Sequence, residues 1–243
     1  MNRSWFWLSL LAVALSFAGG FFLANALNKN DLAQLKNENE RLRTAAQNNS
    51  AGDLADAERE IQEKIKEAEA NPNDHMLQRG LGLALYRYGS MKQDIGLLNQ
   101  TVTILERALA IKPDERDVRI ALANTHFDLD YFGKTGKDYQ KAEAAYRLIL
   151  KDTPDDVEIR TDLGLTLFLR QPPELEAAIK EFETALKKDP KHQKALQFMV
   201  RAKWQAGQTQ EAAKFLEELK AIDPGSQVVA ELSTLLTRTP SGK

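Results

Sequence analysis

The stretches KKDPKHQKAL (residues 187–196) and AIDPGSQVVAELSTLL (residues 221–236) decide the fold. In each stretch an apolar helical pattern ends at a proline, and a new helical pattern begins a few residues later. The same ending precedes Pro113 and Pro154, so four prolines recur 41, 36 and 34 residues apart. This period indicates stacked helical hairpins, which bury their apolar faces only against neighbouring hairpins.

Small and large residues recur at fixed offsets before these prolines. The first helix of each hairpin has a close-approach position, held by Gly82, Ala123, Gly164 and Val200. The second helix has a small contact position, held by Thr101, Ala142, Ala178 and Ala212, and a large residue four positions later, namely Leu105, Tyr146, Phe182 and Leu216. Close packing of two helices requires large residues to face small ones. We therefore predict that these positions lie in the core.

With these positions, residues 73–224 resemble the tetratricopeptide repeat family. The resemblance implies an all-α fold, a right-handed superhelix of about four helical hairpins with flanking capping helices. The predicted domain covers residues 54–238, with a half-repeat or cap at 54–72, repeats at 73–113, 114–154, 155–190 and 191–224, and a C-terminal cap helix at 225–238.

The first two repeats are seven residues longer than the last one. Seven residues equal about two helical turns, so one extra turn on each helix of the first hairpin keeps the same faces of the two helices in contact. In the second repeat, residues 130–138 contain two glycines and predict an exposed loop instead.

Residues 5–27 carry no charge and are long enough to cross a bilayer as a helix. We predict a single transmembrane helix at residues 1–27, followed by a stalk and linker at residues 28–53. A cleaved signal peptide is the alternative, since Ala24-Asn25-Ala26 fits a small-x-small cleavage pattern. We expect a single-pass inner-membrane protein with a periplasmic repeat domain, although the cations that follow the span favour a cytoplasmic domain.

The anchor and stalk also offer a route to a homo-oligomer. Ala12, Ser16, Gly20 and Ala24 form a strip of small residues along one face of the predicted span. Leu32, Leu35, Asn39 and Leu42 have the core spacing of a short coiled coil. A solvated stalk and a chance strip of small residues are the alternatives.

Composition argues against nucleic-acid binding and catalysis. The chain has 33 Lys and Arg against 35 Asp and Glu, so it lacks the net positive charge that holds phosphates. It has no cysteine, and its three histidines, His75, His126 and His192, are too far apart for a local metal motif. Gly133-Lys134-Thr135 lacks the first glycine and the strand of a phosphate-binding loop. We predict no enzyme activity, no cofactor and no metal.

An aromatic residue occupies one position in each predicted first helix: Tyr86, Phe127, Phe168 and Trp204. In the family that the chain resembles, this position lies near the groove lined by the first helices. We predict that these rings bind a peptide, together with Asn124, Lys194 and Arg201, whose amide and positive charges suit a polar or carboxylate group. Packing between hairpins is the alternative role for the rings.

These features predict a membrane-anchored, non-enzymatic adaptor or chaperone that binds a peptide or helix of another protein. The anchor, stalk and repeats also look like the tetratricopeptide proteins of bacterial cytochrome c biogenesis, which implies a c-type apocytochrome C-terminus as the partner. The alternative is an oligomeric envelope scaffold for a secretion, pilus or membrane complex.

Overall fold

The structure is a computed structural model that describes residues 51–133 and 139–238, with the backbone alone described for residues 51–57. The predicted membrane segment at residues 5–27, and the stalk and linker up to residue 50, lie outside the described residues. Among the helices that the structure describes, none combines the length and the hydropathy needed to span a bilayer.

The described residues form ten helices in two compact units, which divide between Phe132 and Gly133. The first unit contains α1 (Ala51–Ala70), α2 (His75–Lys92), α3 (Ile95–Ile111) and α4 (Arg116–Phe132). The second unit contains α5 (Gln140–Asp152), α6 (Val157–Leu169), α7 (Leu175–Lys188), α8 (Gln193–Gln205), α9 (Thr209–Ile222) and α10 (Gln227–Leu236). The all-α prediction is confirmed for these residues, whereas the superhelix and the domain boundaries stay predictions.

Prolines and aspartates set the ends of the helices. Helices α3, α5, α7 and α9 each end two residues before one of the four recurring prolines, as predicted. The carboxylates of Asp74, Asp94 and Asp156 each accept a hydrogen bond from the backbone N–H three residues later, at 3.0 to 3.1 Å. Such bonds satisfy an N–H group that has no partner within the helix.

Three polar side chains, each six residues after a proline, hold the turn next to that proline. They are Gln78 after Pro72, Arg119 after Pro113 and Arg160 after Pro154. Both arginines donate to the carbonyl of their proline, at 2.6 Å. The buried Gln78 amide instead donates to the carbonyls of Ala68 and Asn71, at 2.7 and 2.9 Å. These bonds satisfy carbonyls where a helix ends, and the sequence prediction missed them.

The first hairpin is longer than the last, as its extra residues predict. Helices α2 and α3 have 18 and 17 residues, whereas α8 and α9 have 13 and 14. The turn between α2 and α3 consists of Gln93, which has a positive φ of 55°, and the capping residue Asp94. The seven additional residues therefore lengthen both helices and leave a short turn.

The prediction of a loop at residues 130–138 is wrong for its first three residues. Helix α4 continues to Phe132, so residues 130–132 are helical, and residues 134–138 lie outside the described part of the chain. Tyr131 extends the helix because its ring stacks on Phe127 one turn earlier, with centroids 5.8 Å apart. The helix ends at Phe132, directly before Gly133, and therefore later than the sequence predicts.

The predicted pairing of small with large residues is confirmed at two hairpins. A Cβ added to Gly82 would lie 2.6 Å from Cδ2 of Leu105, and one added to Gly164 would lie 2.5 Å from Cε1 of Phe182. Both large side chains are completely buried. Glycine at these two positions therefore lets α2 approach α3, and α6 approach α7, more closely than any other residue allows.

A chain of ion pairs joins α5, α6 and α7 on the surface of the second unit. Its members alternate in charge, in the order Arg160, Glu181, Arg147, Glu143, Arg170 and Glu174. Burial raises the pKa of Glu143, but hydrogen bonds from Arg147 and Arg170 outweigh it and leave that pKa below its ordinary value. The network holds α5 to the hairpin of α6 and α7 in addition to apolar contacts.

Candidate functional site

All seven predicted binding residues lie on α2, α4, α6 or α8, the first helices of the predicted hairpins. The first unit holds Tyr86, Asn124 and Phe127, and the second holds Phe168, Lys194, Arg201 and Trp204. Each of the seven side chains is half-buried. Every ring therefore packs on the protein with one part and remains accessible with another.

In the first unit, the two predicted rings have different surroundings. Tyr86 packs against a buried cluster of Leu105, Ala108, Val118 and Ala121 from α3 and α4. Phe127 stacks on Tyr131, whose side chain is 48% exposed. Tyr131 is thus the most accessible ring on this face of α4, and its position four residues after Phe127 is the sequence signal that could have identified it.

Charged residues join the N-terminal ends of α2 and α4. Arg79 pairs with Asp117 and lies 3.5 Å from Glu115, and the Nε2 atom of His75 lies 2.8 Å from the same glutamate. Farther along α2, Arg87 is half-buried, and this burial lowers the pKa of its guanidinium below the ordinary value. Arg79 is therefore engaged with acidic residues of the same unit.

In the second unit, Phe168 is part of a three-ring cluster. Its centroid lies 6.2 Å from that of Phe198 on α8, and Phe198 lies 6.3 Å from the buried Phe182 on α7. The sequence reasoning missed Phe198, although it lies two residues before Val200, the predicted close-approach position of the last hairpin. Phe168 therefore contributes to packing between neighbouring hairpins as well as to the accessible surface.

Trp204 and Arg201 on α8 both contact the C-terminal helix region. Trp204 packs on the cluster that α8, α9 and α10 share, and its indole N–H donates to the backbone carbonyl of Arg238 at 3.2 Å. A guanidinium nitrogen of Arg201 lies 3.8 Å from a carboxylate oxygen of Glu231 on α10. Two of the predicted binding residues thus already interact with the end of the chain.

Lys194 lies in a cluster of titratable residues at the N-terminal ends of α6 and α8. Its ammonium group pairs with Asp162. Nearby, Nε2 of His192 lies 3.6 Å from a carboxylate oxygen of Glu158, and both atoms are buried without a hydrogen-bond partner. Burial raises the pKa of Glu158 and lowers that of His192, so both groups are shifted toward their neutral forms.

We expect Glu158→Gln to raise the melting temperature at pH 7. A raised pKa in the fold means that the stability contributed by protonated Glu158 is present at low pH and is lost as the pH rises through the folded-state pKa. Glutamine imitates the protonated carboxyl, so the gain should disappear as the pH falls toward about 4, where the wild-type group is also neutral.

Thermal melts followed by circular dichroism between pH 4 and pH 8 measure this effect. Glu217→Gln on α9 is the matched control, because that carboxylate is exposed and its loss should change little. A wild-type chain more stable than Glu158→Gln at pH 7 would show that His192 or Lys194 stabilises the charged carboxylate.

The described residues contain no group of three or more His, Asp or Glu side chains arranged to hold a metal ion. The histidines His75 and His192 each face a single glutamate between two first helices. The first helices of each unit offer side chains that form hydrogen bonds, ion pairs and aromatic contacts.

Comparisons with known proteins agree with the all-helical fold. Residues 174–236 match a family model described as tetratricopeptide repeat. A solved structure entitled "Crystal structure of MamA" is similar with a TM-score of 0.53 and 20% identity, over 72% of this chain and 96% of that chain. A second, "Crystal structure of MamA protein", is similar with a TM-score of 0.51 and 20% identity, over 68% of this chain and 81% of that chain. Among curated protein sequences, none matches.

At this level of identity the two solved structures show a shared fold and nothing about partners. The family match covers α7 to α10, which include Arg201, Trp204 and the helix that contacts them. The chain thus has a fold of stacked helices similar to that of the MamA structures, and residues 174–236 are similar to the tetratricopeptide repeat model.

Proposed function

We propose that this protein is a membrane-anchored adaptor or chaperone whose helical hairpins bind a peptide or helix of a partner protein. The observation that supports it best is a half-buried aromatic ring on each first helix, each ring accessible over part of its surface. Aromatic side chains with this partial exposure are typical of the central contacts of protein interfaces. Nearby cations, among them Arg201, suit a partner with acidic groups.

The location of the protein is part of the proposal and derives from the sequence. The uncharged residues 5–27 would anchor the chain in the inner membrane, with the repeats in the periplasm. There the partner would be the C-terminal segment of a c-type apocytochrome, held for haem attachment. The chain itself would hold the partner and catalyse no reaction.

We expect Phe168→Ala combined with Trp204→Ala to reduce partner recovery by at least about tenfold, because each ring contributes over 1 kcal/mol at a typical interface centre. Recovery is measured by crosslinking in native membranes followed by mass spectrometry. Leu148→Ala on α5 is the matched control, since this exposed apolar side chain lies on a second helix.

Both ring substitutions remove packing, so helix content and melting temperature must be measured on the same samples. Trp204→Phe keeps most of the ring volume and separates binding from stability. If a double variant that remains folded recovers the partner as well as the wild type does, the rings serve packing alone.

An oligomeric envelope scaffold for a secretion, pilus or membrane complex is the alternative function. Its support is the strip of small residues and the heptad pattern between residues 12 and 42. Sedimentation in detergent separates the two proposals. A scaffold would lose its assembly when the chain is shortened to begin at residue 51, whereas an adaptor would keep the same oligomeric state.

A further inference from the structure

The C-terminal end of the described chain supplies ligand-like groups to two predicted binding residues. Glu231 gives a carboxylate to Arg201 at 3.8 Å, and Arg238 gives a backbone carbonyl to the Trp204 indole at 3.2 Å. Glu231 and Arg238 are seven residues apart, which corresponds to about two helical turns. The first partner is thus a side chain on the body of α10, and the second is a carbonyl just beyond its C-terminal end.

Between these two polar contacts, α10 lies on an apolar seat formed by α8 and α9. The seat consists of Leu196, Val200, Ala212, Leu216 and Leu219. Val229 and Leu232 of α10 are buried on it, and Val228, Leu235 and Leu236 are partly buried. The seat therefore fits an amphipathic helix that has an acidic residue beside its apolar face.

The Trp204 contact also fits the end of a helix. The last carbonyls of any helix lack partners within the helix, so a donor placed there satisfies a group that would otherwise rely on water. The Trp204 indole N–H donates to the carbonyl of Arg238, two residues after the last residue of α10, so it lies beside the C-terminal end of that helix. Trp204 would thus mark where a bound helix ends, and Arg201 would fix its orientation through the carboxylate.

Helix α10 itself has few features that would make it stable alone. It has 10 residues, and Ser226 at its start makes no capping hydrogen bond through its side chain. Isolated helices shorter than about 12–15 residues are marginal in water. The Arg201–Glu231 pair is partly exposed, and such pairs contribute little. Apolar contacts and covalent attachment to α9 therefore keep α10 in place.

We propose that the seat of α8 and α9 is a docking site for an amphipathic helix of the partner, and that α10 occupies it until that helix displaces it. The partner helix would carry an acidic residue facing Arg201 and would end beside Trp204. This inference rests on the proposed adaptor function and specifies its ligand. The docking site would be closed by the protein's own helix, so only a helix with matching apolar and acidic positions would gain access.

The test uses the full chain and a fluorescent peptide with the sequence of residues 227–238, QVVAELSTLLTR. Leu232→Ser in the chain places a hydroxyl on the buried apolar seat and should release α10. The labelled peptide should then bind this variant at least about tenfold more tightly than the wild type, in which the tethered helix competes at high effective concentration. Fluorescence anisotropy gives both dissociation constants.

Two matched controls test the contacts. A peptide with the Leu232→Ser change should bind the variant chain at least about tenfold more weakly than the natural peptide, because it lacks the same buried contact. Arg201→Glu in the Leu232→Ser chain should weaken the natural peptide, and a peptide with Glu231→Lys should recover part of that loss. Equal affinities in either control would overturn the assignment of Leu232 or Arg201 to the site.

Further outcomes would overturn the proposal as a whole. In the first, the labelled peptide binds the wild type and the Leu232→Ser chain with equal affinity. In the second, the peptide does not bind a Leu232→Ser chain that keeps its other helices. If that variant fails to fold, hydrogen exchange of the wild type decides. The amides of α10 should exchange faster than those of α8, and faster still with excess peptide, whereas equal protection would contradict a displaceable helix.

A second copy of this chain is the competing occupant. A concentration-dependent dimer that disappears in Leu232→Ser would show that α10 is exchanged between copies, which would overturn docking of a partner helix. Peptide binding is measured without the cellular partner, so its outcome is independent of partner recovery. A peptide that binds while the Phe168 and Trp204 variants recover the partner normally would show that the seat accepts a helix but would reject both the adaptor surface and docking of the partner beside Trp204.

Discussion

Replacement of Phe182 by alanine is expected to lower the free energy of unfolding by about 3–5 kcal/mol. The Phe182 ring is completely buried, touches the backbone of α6 at Gly164 and stacks on Phe198 of α8. Its removal leaves a cavity that three helices share. Because each helix is held by its neighbours, the cavity cannot close through the movement of one side chain alone.

Urea unfolding followed by circular dichroism measures the loss from Phe182→Ala. Leu148→Ala is the matched control, because its side chain is half exposed and its truncation should change the stability by no more than about 0.5 kcal/mol. A loss below about 1 kcal/mol for Phe182→Ala would mean that Phe198 moves into the vacated space and that the packing of these rings is not fixed.

Replacement of Gly164 by alanine is expected to destabilise the second unit by about 1–3 kcal/mol through overpacking. The new Cβ would lie 2.5 Å from Cε1 and 2.8 Å from Cδ1 of Phe182, far inside normal contact distance. Alanine favours a helix over glycine by about 1 kcal/mol, and this gain offsets only part of the cost. The rigid ring must move, and because it is completely buried it can move only by displacing the side chains packed around it.

Two further variants show whether the cost of Gly164→Ala comes from the Phe182 ring. Gly80→Ala on α2 should be neutral or stabilising by up to about 1 kcal/mol, since its added Cβ would meet no atom within 4 Å beyond the local helix backbone and its chain neighbours. Phe182→Leu in the Gly164→Ala background should cost less than the two single changes added together. Strict additivity would mean that the two residues do not clash.

Most of the fold could be predicted from periodic features of the sequence. The recurring prolines gave the ends of α3, α5, α7 and α9, and the small positions predicted the pairings of Gly82 with Leu105 and Gly164 with Phe182. These features are local or repeat at fixed spacing, so one sequence suffices to find them. The end of α4 was misjudged because residues 130–132 contain no glycine and Tyr131 stabilises this last turn by stacking on Phe127.

The candidate site could be predicted only in part. The sequence placed seven residues on first helices, but it could not show which of them are already engaged. Lys194 pairs with Asp162, which lies 32 residues earlier in the chain, and Trp204 donates to a carbonyl 34 residues later. Contacts between hairpins depend on how the helices stack, and no spacing rule within one helix encodes them.

The side chain six residues after each proline differs along the chain. This difference limits which hairpins could replace one another in the sequence. Gln78, Arg119 and Arg160 hydrogen-bond their turns, whereas the corresponding position after Pro190 is the buried Leu196. A hairpin copied from the middle of the chain to its C-terminal end would bring an arginine to a place that packs on α10. Duplication or shuffling of whole hairpins in this protein would therefore require a matching change at this one residue.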